Sequence, residues 1–202
     1  MNWTKVTKNA WQDEIASGSY DVFGTLKFID GSCVSDTKAT GLWGAYWHKV
    51  DRVIFGHGAN KGLGVNRWCF DELGECTENR HLHFVAQSPM CTETFCAALN
   101  AIWSDFCADA APMRHNFITP IRCKRDTGGY IVKEIGDHRF SFSGLKCSHK
   151  SSAQSETTEL EKTGRLHRTL ARVPDNRMNE ALAVLEWQIA EEQRRLNQRS
   201  VY

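Results

Sequence analysis

Arg80-His81-Leu82-His83-Phe84-Val85-Ala86 is the stretch that decides the fold. It is rich in aromatic and β-branched residues, and Ser88-Pro89 closes it, which is the composition of a strand. Side chains at i and i+2 of a strand share a face. His81 and His83 therefore stand side by side, and Leu82 and Phe84 turn to the opposite face. Two adjacent imidazoles on a rigid element make half of a metal site. Neutral imidazole suits Zn, Cu, Fe or Ni, and an added carboxylate brings in Mn. The plain alternative is a pair of packed or solvent-facing histidines.

Upstream, residues 65–73 read as another strand and residues 74–79 as the connection to the histidines. If the two strands are hairpin neighbours, Glu72 lies across from the imidazoles and supplies an oxygen ligand. Glu75 and Glu78 in the connection compete for that role, and Glu72 is the favoured one. All three carboxylates would otherwise be solvated turn residues. Further upstream, residues 19–29 suggest a first strand, ended by Asp30-Gly31-Ser32. Residues 36–54 carry apolar side chains at helical spacing. Residues 56–64 hold four glycines and read as a loop. Residues 1–18 are polar, with two tryptophans, and read as a lead-in.

Downstream, residues 92–106 form an amphipathic helix with Phe95, Leu99, Ile102, Trp103 and Phe106 on one stripe. Residues 117–121 are a short strand. Residues 124–129 read as a turn into a helical piece from Tyr130 to about Ile135, and residues 139–145 as one more strand. Residues 147–164 are polar and nearly free of large apolar side chains, the composition of a linker or exposed loop. Asp175, just after Pro174, can cap a final helix. Its stripe is Met178, Leu182, Leu185, Ile189 and Leu196, at roughly heptad spacing. That helix is either a dimer seam or packs back on the domain. Strands interleaved with helices, without a regular βαβ rhythm, predict an α+β domain on a central antiparallel sheet.

A chain of 202 residues suits one domain with an appendage. The net charge of +1 leaves a charged partner such as DNA to be met by a local basic patch. No run is apolar and long enough to cross a membrane. Met1 to Lys5 form no apolar signal region, so secretion is not expected. None of the eight cysteines forms a C-x-x-C pair, and Cys69, Cys96 and Cys107 sit in apolar runs. They read as reduced thiols rather than a disulfide frame or a zinc finger.

Two further features bear on chemistry. Tyr130-Ile131-Val132-Lys133 puts a phenol and an ammonium on one helical face. A phenolate can attack phosphorus, and an ammonium can stabilise phosphate charge. Basic residues lie nearby: Lys27, Arg80, Arg122, Lys124 and Arg125 can track a phosphate backbone. Taken singly, each of these has an ordinary surface role as its alternative.

Together these segments resemble the rolling-circle replication initiators, the Rep proteins of the HUH endonuclease superfamily. Phe23-Gly24-Thr25-Leu26-Lys27-Phe28 looks like their Thr-bearing first strand. His81-Leu82-His83 with Glu72 looks like their metal motif, and Tyr130-x-x-Lys133 like their catalytic motif. The match covers roughly residues 19–140. It implies a ferredoxin- or RRM-like sheet with His-x-His on an inner strand and the tyrosine on an adjacent helix. It implies Glu72, His81 and His83 around one divalent ion, Mn²⁺ or Mg²⁺, with Tyr130 as nucleophile and Lys133 assisting. Thr25 joins the basic residues in holding single-stranded DNA at an origin or hairpin. The implied activity is nicking and joining through a covalent 5′-phosphotyrosine.

The chain departs from the family pattern at Gly24, usually hydrophobic, and at Lys27, often a second Thr. One candidate tyrosine places it with the single-tyrosine type. The expected organisation is an endonuclease domain over residues 15–145 and a polar linker with a helical extension over residues 146–202. No G-x-x-x-x-G-K-[ST] is present, so a helicase would come from the host or a separate protein. The expected setting is the cytoplasm of a prokaryotic host, or the nucleus if the source is a eukaryotic virus. Transposases and relaxases built on the same domain, and a DNA-binding protein without catalysis, are the alternative readings.

Overall fold

The computed structural model describes residues 2–74, 79–133 and 172–199. The chain is α+β. Four strands, β1 (Val22–Lys27), β2 (Arg67–Glu72), β3 (His81–Ala86) and β4 (Phe117–Pro120), form one antiparallel sheet in the order β2-β3-β1-β4. Among the described residues five helices flank it: α1 (Trp3–Ser17), α2 (Asp36–Phe55), α3 (Thr92–Ser104), α4 (Lys124–Ile131) and α5 (Asp175–Arg199). β1-α2-β2 and β3-α3-β4 are two crossover units, which gives the ferredoxin-like connectivity.

Strand alternation sorts the residues into two layers. Val22, Leu26, Cys69, Leu82, Phe84 and Ile118 face the larger core with α2, α3 and α5. Phe23, Phe70 and Val85 face the other way, where Ile15 of α1 and Ile131 of α4 close a smaller core. His81, His83 and Glu72 belong to this second face, and Leu82 and Phe84 to the first, as the i, i+2 rule requires. Gly24 is paired with Phe84 across the β1–β3 ladder. A Cβ there would lie 2.1 Å from Phe84 Cζ, so the glycine is the space into which that ring packs.

The ends of the larger layer are fixed by charge. Arg67 and Asp51, both buried, form a two-pronged ion pair at 3.0 and 3.2 Å that ties the start of β2 to α2. Arg80 pairs with Asp71 at 2.6 Å and with Asp36. Single buried pairs contribute little net stability, but each partner is costly to remove alone.

Several boundaries differ from the sequence reading. The expected lead-in is instead a helix: Trp3–Ser17 form α1, and the Asn2 side chain caps it by accepting from Lys5 N. Its apolar face is sparse, with only Ile15 fully buried and Trp11 edge-on to Trp68 and Phe70. Residues 124–129 are not a turn but the body of α4. The glycines that suggested a turn are there because α1 presses on them: a Cβ on Gly128 would sit 3.2 Å from Gln12 Cα. α4 ends at Ile131, and the Lys133 amide bonds Tyr130 O in a tighter turn. The predicted loop over 56–64 contains a 3₁₀ stretch, Gly56–Lys61.

The expected strand over 139–145, the polar linker over 147–164, and Glu75 and Glu78 lie outside the described residues. α5 packs on α3 and β4, with Ala181, Val184 and Leu185 in the main core and Met178, Leu182 and Ile189 against it. The stripe with near-heptad spacing is thus spent within this chain. Leu196, its last member, is 45% exposed. Of the described cysteines, Cys69 and Cys96 are buried and Cys107 is half-buried. No helix among the described residues is long and apolar enough to cross a membrane.

Candidate metal centre and cleft

Register brings the site together. On the second face, Lys27 of β1, His81 of β3 and Glu72 of β2 stand in one row across three strands. The next row holds Thr25, His83 and Phe70. Glu72 reaches both imidazoles: Oε1 is 3.3 Å from His81 Nε2 and Oε2 is 2.9 Å from His83 Nε2. The two Nε2 atoms are 3.2 Å apart. All three residues are buried, and their donor atoms lie within 4.8 Å of one another.

Outer partners fix each ring. His81 Nδ1 is 2.6 Å from Asn79 O. A carbonyl only accepts, so Nδ1 carries the proton and the Nε2 lone pair of the neutral ring faces Glu72 and His83. His83 Nδ1 is 2.9 Å from Thr25 Oγ1. A hydroxyl can accept there, which likewise frees the His83 Nε2 lone pair. Histidine ligands are generally held this way, through the nitrogen remote from the metal. Two imidazole nitrogens and a carboxylate oxygen, each with a lone pair directed at common space, form a donor set that can hold a metal ion.

The electrostatics agree. Burial pushes the His83 imidazole down to about 4; the Glu72 hydrogen bond opposes this, and the neighbouring His81 adds to it. The ring is therefore neutral at pH 7, the form that ligates. Burial alone would raise the Glu72 carboxyl. In the acid range where Glu72 titrates, the imidazoles are protonated and donate to it; those hydrogen bonds, the charge of His83 and the Lys133 ammonium outweigh burial and hold the group well below the usual carboxylate range.

Lys133 joins this centre directly, its Nζ 2.9 Å from Glu72 Oε1. Partial burial would lower its pKa, but Glu72 and Tyr130 hold it above the usual value. The same Nζ sits 4.2 Å from the Tyr130 ring centre. The Tyr130 ring stands edge-on to His83 at 5.2 Å and to Phe23 at 5.9 Å, and it is 48% exposed. The phenol therefore stands at the mouth of the cleft, above the buried triad. α4 presents it there because α1 holds α4 to the sheet: Gln12 Nε2 donates to Arg125 O at 3.0 Å.

The cleft has a volume of about 1120 Å³. Thr25, Lys27 and Arg122, expected to hold nucleic acid, line it together with Tyr130 and Lys133. The remaining basic candidates are placed otherwise. Arg80 is buried in its pairs with Asp71 and Asp36. Lys124 donates to Gly18 O at 2.7 Å, and Arg125 is exposed on α4; neither lines the cleft. Sequence reasoning missed the far wall. Glu192, Arg195 and Leu196 of α5 line the same cleft. Nothing local to residues 175–199 signals that placement, which depends on how α5 docks.

No protein-family model, curated protein or solved structure matches the chain.

Proposed function

We propose that this protein nicks and rejoins single-stranded DNA through a covalent 5′-phosphotyrosine on Tyr130, in the manner of a rolling-circle replication initiator. The observation that carries the reading is the convergence of three groups at the floor and mouth of one cleft: the buried Glu72–His81–His83 donor set, of which Glu72 and His81 line the cleft, Lys133 on Glu72, and the half-exposed Tyr130 phenol against His83. A general DNA-binding module needs no such donor set beside a tyrosine.

Glu72, His81 and His83 would hold a divalent ion, and the mixed nitrogen–carboxylate set favours Mn²⁺ over Mg²⁺ in affinity. When bound, such an ion supplies positive charge to a phosphate oxygen and orients the phosphate. The chain's own groups do the rest. Thr25 and Asn79 keep the imidazoles in the ligating tautomer. Lys133 contributes positive charge between Glu72 and the phenol. Tyr130 loses its proton and its oxygen bonds to phosphorus; the bond from phosphorus to the 3′ oxygen breaks, and that oxygen takes up a proton as a free 3′-hydroxyl. The reverse attack by a 3′-hydroxyl restores the strand and releases Tyr130, because the phosphotyrosine ester retains the energy of the broken bond.

The test is a denaturation-resistant adduct. With Mn²⁺ and labelled single-stranded DNA from its own replicon, the wild type should form one. Tyr130→Phe should form none while still binding the strand, since phosphate contacts supply most of that affinity. An adduct that persists in Tyr130→Phe and maps to another tyrosine removes Tyr130 from the role. Its absence in the wild type leaves a binding protein.

A further inference from the structure

We propose that the C-terminal part of α5 is a nucleic-acid-contacting wall of the cleft, with Arg195 holding a backbone phosphate of a single strand that runs past the metal centre. This rests on the nucleic-acid reading above but not on the chemistry at Tyr130.

Arg195 and Leu196 line the cleft that is also lined by Tyr130, Glu72 and His81. The Arg195 side chain is 74% exposed, and its only described ion pair is one to Glu191 on its own helix at 3.4 Å. Exposed pairs of that kind are weak, so the guanidinium remains available to a phosphate. Apolar surface lies in the same cleft: Leu196 is 45% exposed, and Phe23 and Phe117 are half-buried. Cations interleaved with apolar and aromatic faces are what a single strand binds, phosphates on the first and bases on the second. A folded protein partner would not need Lys27, Lys133 and Arg195 arrayed along a concave surface beside aromatic rings.

The wall is rigidly placed. Gln188 of α5 donates to Asn116 O. Asn116 in turn accepts from the Lys27 amide at 3.0 Å and donates to Asn100 at 3.0 Å. Arg122 reaches across to Ile189 O, Gln193 and Glu192, each at 3.4 Å. The helix and the strand of His81 and His83 are thus linked through β1 and β4, so a strand held by Arg195 keeps a fixed offset from the Glu72–His81–His83 group.

The test measures binding of a labelled oligothymidylate to the full chain by anisotropy across a salt series. Arg195→Ala should weaken binding about three- to tenfold at low salt and reduce the salt slope by about 0.7, the value for one lost phosphate contact on a single strand. Arg195→Glu should weaken it further. Arg194→Ala removes the same charge one residue away, off the cleft, and should change affinity much less. Circular dichroism and Mn²⁺ affinity should stay at wild-type values in all three. If Arg195→Ala and Arg194→Ala behave alike, the wall is wrong, whatever Tyr130 does. If the wild type binds the oligonucleotide but makes no adduct with replicon DNA, the nicking reading fails while the Arg195 comparison still decides the wall. If the wild type does not bind single strands at all, both fall.

Discussion

Lys133 and a metal ion make opposing claims on Glu72. The ammonium is 2.9 Å from the oxygen that also faces His81 Nε2, so in the metal-free protein it neutralises the carboxylate. A divalent ion arriving at that oxygen must displace this contact or tolerate a cation beside it. Lys133→Met keeps the length of the side chain and removes the charge. It should therefore bind Mn²⁺ more tightly than wild type, by roughly one order of magnitude for about 1.4 kcal/mol of relieved repulsion. Titration calorimetry checks this without any DNA, and weaker binding would show that Lys133 supports the donor set. Thr25 has the opposite sign. Thr25→Val leaves His83 Nδ1 buried without its partner and frees the ring to turn, so Mn²⁺ affinity should fall about 10- to 100-fold. Thr25→Ser keeps the hydroxyl and should restore most of it. Equal affinity in Thr25→Val and wild type would exclude Thr25 as the group that orients His83. The donor residues themselves were legible in the sequence. Period-2 alternation fixes the shared face of His81 and His83, and a hairpin places Glu72 opposite them. Asn79 was not, because it acts through its backbone carbonyl, which any residue carries.

At the scale of elements, readability follows how much apolar surface each one spends. β3 is aromatic and β-branched, with polar and apolar residues alternating from His81 to Phe84, and α3 carries a full apolar stripe, so both are plain in the sequence. α1 buries little beyond Ile15, with Trp11 partly covered. The helical content of α4 is masked by Gly128-Gly129, residues chosen for closeness to Gln12 rather than for helix propensity. Gly24 is the same kind of signal within the sheet. Phe84 fills the space its side chain would take. Gly24→Ala should cost about 1–3 kcal/mol through overpacking. Combining it with Phe84→Leu should cost less than the sum of the two single changes, since the smaller side chain removes the collision. Additive losses in chemical denaturation would mean that Gly24 is needed for its backbone and not for space.

Across the whole molecule the sheet has two unequal sides. α2, α3 and α5 seal one face with a large core that includes Tyr46, Trp103, Phe84 and Leu99, all fully buried. The other face holds Ile15, Tyr20, Phe70, Val85, Ile131 and Val132 under α1 and α4. Burying such side chains contributes roughly 1.5–3 kcal/mol each, so among the described residues the second layer is held by far less. Cooperative units with little buried apolar surface open at lower free energy than the global fold. The helix that carries Tyr130 therefore belongs to the part of the protein that opens first, while the strand that carries His81 and His83 belongs to the part that opens last. Hydrogen exchange should show this directly. Amides of α4 should exchange well before those of β3 and β1, and Trp11→Ala should accelerate α4 further while leaving β3 unchanged, because Trp11 packs on Trp68 and Phe70 within the smaller layer alone. If Trp11→Ala speeds β3 and α4 equally, the two layers unfold as one, and mobility of the tyrosine helix is not separable from the stability of the metal centre.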